Sequence, residues 1–85
     1  MPSYLLLSRS ITHAQRMSAL LSRAGIRAPY QRTPMSLARR GCGYAVYLDA
    51  RRYTEGLQLL KEGGLRPVSV FLDRGGGKYS EITGF

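Results

Sequence analysis

The chemistry of this 85-residue chain centres on its single cysteine, Cys42, which lies between Gly41 and Gly43 and follows Arg39 and Arg40. Glycines leave the thiol without side-chain cover and permit backbone conformations that other residues resist. Positive charge beside a thiol favours the thiolate, which is the reactive form of cysteine. These residue types in this order indicate an exposed, activated nucleophile. The alternative is a structural cysteine at the start of a strand, since free cysteine is among the most buried residue types.

The single cysteine and the single histidine, His13, argue against several kinds of site. An internal disulfide needs two cysteines, and a thiolate zinc site needs several Cys or His ligands. A free thiol suits a reducing compartment, and the sequence has no recognisable signal peptide or membrane span. The sequence therefore predicts a soluble cytoplasmic protein with neither a metal nor another cofactor.

The formal net charge is +8, from 13 Lys and Arg against 5 Asp and Glu. Such a balance favours an anionic partner, which is nucleic acid, an acidic protein surface or a phosphorylated small molecule. The basic residues are scattered along the chain rather than gathered in one stripe. The charge therefore neither singles out nucleic acid nor excludes it.

Apolar runs and alternation predict four strands, which cover residues 3–9, 26–33, 43–48 and 65–73. Pro29 places the second strand at a sheet edge, because proline cannot donate to a strand ladder. The segment that follows this strand is predicted to be a loop up to Gly41. Its length exceeds that of a simple hairpin connection, which suits a functional role.

Two segments have apolar residues at the three- and four-residue spacing of an amphipathic helix. The first helix is predicted to begin at Thr12, because Thr12 and Gln15 match a capping box, and to end at Gly25. The second is predicted to follow Asp49 as its N-cap and to stop at Gly63.

The order strand, helix, strand, strand, helix, strand is typical of the ferredoxin-like βαββαβ fold, in the α+β class. Right-handed crossovers then predict a four-stranded antiparallel sheet with both helices on one face. The single domain is predicted to span residues 1–73. The glycine-rich run that begins at Arg74 is interpreted as a flexible linker to a C-terminal tail, so residues 74–85 lie outside this domain.

This topology predicts that Cys42 lies at the same edge of the sheet as His13. The first strand ends at that edge, and the loop after the parallel second strand lies there too. The N-terminus of the first helix would add partial positive charge and free N–H groups, which with Arg39 and Arg40 would lower the pKa of the thiol. His13 is a candidate proton acceptor or partner for the thiolate; the alternative is an exposed residue without a function.

Three pieces of the sequence together resemble the family of putative selenium/sulphur carrier protein-like domains, over roughly residues 4–70. They are the helix start Ser10-Ile11-Thr12-His13-Ala14, the helix end Leu20-Leu21-Ser22-Arg23-Ala24-Gly25-Ile26, and the loop from Thr33-Pro34 to Cys42-Gly43-Tyr44-Ala45-Val46. In one departure, Met35 follows Pro34 where the family usually has an arginine.

The resemblance implies a cytoplasmic domain that carries sulphur or selenium on Cys42 as a persulphide or perselenide, with Gly43 as the required neighbour. It implies a cysteine desulphurase or a selenocysteine lyase as donor, and an acceptor protein. Arg39 or Arg40 would take the part of the family's usual arginine. A protein of this kind is a carrier rather than a stand-alone enzyme.

Two other functions stay open from the sequence. A four-stranded sheet with an uncovered face, tyrosines and positive charge can bind RNA through stacking and phosphate contacts. Against RNA binding, Tyr44 and Tyr47 alternate onto opposite faces of their strand, and the third strand lacks an RNA-recognition signature. The same uncovered face can instead pair with a second copy of the chain, as in a homodimer or an assembly domain.

Overall fold

The computed structural model describes residues 2–38 and 43–85, which form an antiparallel sheet with helices, in the α+β class. The elements are β1 Ser3–Leu7, α1 Ile11–Arg23, β2 Tyr30–Arg32, α2 Met35–Ala38, β3 Tyr44–Asp49, α3 Tyr53–Glu62, β4 Ser69–Asp73 and β5 Tyr79–Ile82. A short 3-10 turn, Ala50–Arg52, leads into α3, and Asp49 caps it by accepting from the N–H of Arg51 at 2.8 Å.

β1 is the central strand of the sheet, whose order is β2-β3-β1-β4-β5. All neighbouring pairs are antiparallel, and Leu7 lies opposite Ala45 of β3 on one side and Ser69 of β4 on the other. Leu5, Leu6 and Leu7 are all fully buried, because both faces of this strand are covered. The predicted pairing of the first and third strands is confirmed, and so is the edge position of β2.

α1 and α3 cover one face of the sheet and form the larger hydrophobic core with it. Met17 and Leu21 of α1 and Leu60 of α3 are fully buried. They belong to the same cluster as Leu6 of β1 and Val46 of β3. The apolar stripe that predicts each helix is therefore the surface that the helix buries.

The opposite face of the sheet carries a smaller apolar cluster, to which the loop after β2 contributes. Leu37 of α2 is 7% exposed and belongs to this cluster with Leu7 and Ala45. The sequence predicts no helix in this loop. One turn forms here because the N–H of Leu37 donates to the C=O of Pro34 at 2.9 Å, while the side chain of Leu37 is buried against the sheet.

The predicted four-stranded sheet is wrong, because β5 adds a fifth strand beside β4. Its residues, 79–82, belong to the segment that the sequence assigns to a tail. Gly75, Gly76 and Gly77 have φ angles of +86°, +62° and +77°, which glycine adopts at little cost, and the chain reverses through them. The glycine run is thus the turn of a hairpin between β4 and β5. The end of the domain at residue 73 stays a prediction.

Candidate functional site

The candidate site lies at one end of the strands, where β1 and β2 end and β3 and β4 begin. We call this end of the sheet the loop edge. Backbone hydrogen bonds join the four segments in a row. They run from the N–H of Thr33 to the C=O of Gly43 at 3.0 Å, from Ser8 to Tyr44 at 3.0 Å, and from Val68 to Leu7 at 2.8 Å. Since neighbouring strands lie about 5 Å apart, Gly43 is roughly 10 Å from Val68 across β1.

Gly43 is one of two members of the predicted site that the structure describes, and it lies at the loop edge. It is exposed, and its bond with Thr33 closes the base of the loop that begins at Pro34. A Cβ built on it meets no atom of the described residues within 4 Å. No contact with the described residues therefore requires glycine at this position.

Cys42, Arg39 and Arg40 lie outside the residues that the structure describes. The described chain stops at Ala38 before them and resumes at Gly43 after them. The expectation of an exposed thiol beside two arginines therefore stays a prediction.

His13 lies at the same edge, in the first turn of α1, as predicted from the topology. The N-cap lies two residues before the predicted cap, Thr12: Ser10, with extended backbone, is the N-cap, and its Oγ accepts from the N–H of His13 at 3.1 Å. Thr12 is a helical residue rather than the cap. Serine is favoured at the N-cap because its side chain satisfies an otherwise free N–H of the first turn.

The imidazole of His13 is buried, with 5% of the residue exposed, so the alternative of an exposed histidine is wrong. Its Nδ1 accepts from the N–H of Arg9 at 3.0 Å, which requires the neutral tautomer that carries its proton on Nε2. Nε2 is buried and completes no hydrogen bond with the described residues, although carbonyls of Leu65 and Arg66 face it. Nδ1 is the nitrogen that would have to accept a proton from a thiol, and it already accepts the N–H of Arg9.

Burial is the main cause that lowers the pKa of His13 below its ordinary 6.5, and the positive charge of Arg9 acts in the same direction. The carbonyls of Leu65 and Arg66 oppose this shift, since they favour a protonated ring. The folded protein therefore holds His13 in its neutral form. Its hydrogen bond with the N–H of Arg9 fixes the residue after Ser8 against the first turn of α1, which makes His13 a residue that positions the loop edge.

We expect the free energy of unfolding to fall as the pH drops below about 6.5, the unfolded value for histidine. In that range the unfolded chain binds a proton that the folded chain resists, so stability rises with pH. Below the lowered folded pKa, this contribution is fully lost. Urea unfolding at pH values from about 8 to about 5 measures it before the carboxylates titrate.

The matched variant for this measurement is His13→Asn, whose Oδ1 can still accept from the N–H of Arg9 but does not titrate. Its stability is expected to be nearly constant over the same range. Because His13 is the only histidine, equal slopes in the two proteins would contradict the assigned neutral state.

Two features of the loop edge are not apparent from sequence patterns. Ser8 is fully buried, and its Oγ donates to the C=O of Tyr44 at 2.8 Å, which fixes the start of β3 against the end of β1. Thr33 is also buried at the loop base. In the sequence, a polar residue directly after an apolar strand is the only indication of such a hydrogen bond, and it is a weak one.

Exposed arginines are also found at the loop edge. Arg9 follows β1, Arg32 ends β2 and Arg66 precedes β4, and all three are exposed. Arg32 lies over the ring of Tyr44 at 5.7 Å, and Arg66 donates to the C=O of Phe85 at 3.4 Å. The described part of the edge is therefore electropositive.

Within residues 2–38 and 43–85, no group of His, Cys, Asp and Glu side chains is placed to hold a metal ion. In the same residues, no helix is long and apolar enough to cross a membrane.

The family model described as "Putative Se/S carrier protein-like" matches residues 3–72. The chain belongs to this family. The match spans β1 to β4 and includes the loop edge with the loop that contains Cys42, whereas the fifth strand of this Se/S carrier family member lies beyond it. No curated protein and no solved structure matched the chain.

Proposed function

We propose that this member of the Se/S carrier family carries sulphur or selenium covalently on Cys42. Family membership supports a carrier, and Cys42 is the only thiol in the chain. The described flank of the loop supports it further, because Gly43 is exposed and carries no side chain beside the cysteine.

The proposed step is a transfer from a protein-bound persulphide. The Cys42 thiolate attacks the outer sulphur of the donor's persulphide, the donor's S–S bond breaks, and the electron pair leaves with the donor thiolate. Cys42 then carries the persulphide, and the proton of the donor's terminal S–H stays on it or passes to solvent. No external oxidant or reductant is consumed, and the same exchange with selenium gives a perselenide. The rate depends on the thiolate fraction and on access.

Arg39 and Arg40 are proposed to stabilise the anionic forms of Cys42, since cations lower the pKa of a neighbouring thiol. Gly43 is proposed to keep the thiol accessible. His13 enters this proposal as a positioning residue at the loop edge rather than as a proton acceptor, because its Nδ1 accepts from the backbone of Arg9.

The first four strands are proposed to form a ferredoxin-like unit. Their order, β2-β3-β1-β4, and the placement of α1 and α3 on one face support this assignment. The proposed donor is a cysteine desulphurase or a selenocysteine lyase, and a separate protein accepts the atom. A reducing compartment such as the cytoplasm suits the free thiol.

Peptide mass spectrometry tests this function. The chain is incubated with a purified cysteine desulphurase and L-cysteine, and the product is digested under non-reducing conditions. The proposal expects the added mass of one sulphur atom on the peptide that contains Cys42. Complete absence of this adduct, with a desulphurase shown to be active, would contradict a carrier function for sulphur.

A further inference from the structure

We propose that the loop edge is a docking surface for a protein partner with an acidic surface. Apolar side chains at the centre of that partner surface pack against exposed aliphatic side chains of the loop edge. The identity of the partner, a protein that donates sulphur to this chain, rests on the function proposed above. The surface itself is inferred from exposure, charge and topology of the described residues.

Three of the four large apolar residues that are exposed among the described residues belong to the loop edge. Ile11 opens α1 and is 41% exposed, Met35 opens α2 and is 89% exposed, and Val68 precedes β4 and is 43% exposed. The fourth, Tyr30, lies at the other end of β2. Scattered exposed apolar residues are ordinary, but their concentration at one edge indicates an interaction site.

The charges around these side chains specify the partner. Arg9, Arg32 and Arg66 are exposed at the edge. Arg66 donates to a main-chain oxygen of Phe85, whereas among the described residues neither Arg9 nor Arg32 has an Asp or Glu partner. Two carboxylates, Asp49 and Asp73, lie at the opposite end of the sheet, since both are opposite Ser3. An acidic surface is therefore attracted to this edge.

The arginines at the far end of the sheet differ in their surroundings. Arg51 pairs with Asp49 at 3.3 Å, and Arg52 pairs with Glu55 at 2.9 Å. Arg51 and Arg52 at the far end are therefore each neutralised by a carboxylate, which in the described part of the chain Arg9 and Arg32 of the loop edge are not.

A protein fits this edge better than RNA does. Unpaired bases stack on aromatic rings, and the exposed apolar residues here are aliphatic or Met. Arg and Met are enriched in protein interfaces, and Met adapts to irregular partner surfaces. Docking at this edge would also bring the partner to Gly43, which lies roughly 10 Å from Val68.

The test compares two sulphur sources for each variant. In one arm, Cys42 is loaded from a purified cysteine desulphurase with L-cysteine; in the other, from inorganic polysulphide, which needs no docking surface. The charge variant is Arg9→Glu with Arg66→Glu, and the apolar variant is Ile11→Ser with Val68→Ser. The matched control is Arg23→Glu with Arg27→Glu, which changes the net charge equally at exposed sites near the end of α1 and beyond it. Urea unfolding confirms that each variant is folded.

We expect the charge and apolar variants to lower the rate of loading from the desulphurase about tenfold or more. The charge variant should also lose much of the salt dependence of that rate. Loading from polysulphide should match the wild type in every variant, and the control should be nearly unaffected in both arms.

Equal loss in the control and the edge variants would overturn the docking surface while the carrier function stands. Absence of loading from both sources in the wild type would overturn the carrier function, and the partner assignment with it. Edge variants that keep desulphurase loading but lose binding to a fluorescent mixed-sequence RNA would overturn a protein partner in favour of RNA.

Discussion

Replacing Cys42 by serine should abolish all covalent sulphur loading, from a desulphurase and from polysulphide alike. A serine hydroxyl does not ionise at neutral pH and forms no persulphide, and the chain contains no second thiol to take its place. The measurement is the mass of the intact protein after incubation with each donor. The expected change is from a full adduct to none.

Gly43→Ala is the companion variant, because no atom of the described residues lies within 4 Å of an added Cβ there. It should remain as stable as the wild type or become slightly more stable, while the added methyl group covers the thiol and slows loading. A serine variant that still takes up sulphur would contradict the assignment of Cys42 as the carrier residue.

Leu6→Ala should lower the free energy of unfolding by about 3 kcal/mol, as is usual for a fully buried leucine replaced by alanine. Leu6 is completely buried in the central strand and belongs to the cluster that includes Met17 and Leu21 of α1. The cost combines lost apolar burial with the cavity that remains. Urea unfolding monitored by circular dichroism measures it.

Met35→Ala is the control for this prediction, since it also shortens a large apolar side chain but at a residue that is 89% exposed. It should change the stability by less than about 0.5 kcal/mol. Similar effects of the two substitutions would contradict the burial of β1 beneath α1 and α3.

Much of the fold could be predicted because local patterns and burial agree. The run Leu5-Leu6-Leu7 marks a strand covered on both faces, and Pro29 marks an edge strand; both features appear in the sheet. Gly25, with a φ angle of +80°, directly follows the C-cap of α1, where the sequence predicts that the helix ends.

The parts that sequence reasoning missed depend on contacts distant in the chain or on competing local signals. β5 is short and partly polar, and it becomes a strand because β4 offers it a ladder across a three-glycine turn. One helical turn forms at Met35–Ala38 because the side chain of Leu37 is buried in the smaller apolar cluster of the sheet. Thr12 matched a capping box, but Ser10 has the extended backbone of the N-cap.

The candidate site shows the same division. Strand order and direction suffice to bring the start of β3 and the start of α1 to one edge, where Gly43 and His13 are found. The bond from Arg9 to Nδ1 of His13 and the burial of that ring depend on side-chain packing, which spacing does not encode. The grouping of Ile11, Met35 and Val68 likewise becomes visible only once the elements are assembled.

The most direct test of an activated carrier cysteine is the pH dependence of Cys42 alkylation by iodoacetamide, in the native and in the urea-unfolded protein. The chain has one thiol, so the reaction reports on Cys42 alone. We predict rapid native alkylation with a midpoint well below that of the unfolded chain, because an exposed thiolate beside Arg39 and Arg40 is stabilised. Slow native alkylation that becomes fast only on unfolding would identify a packed structural cysteine and would contradict the carrier function.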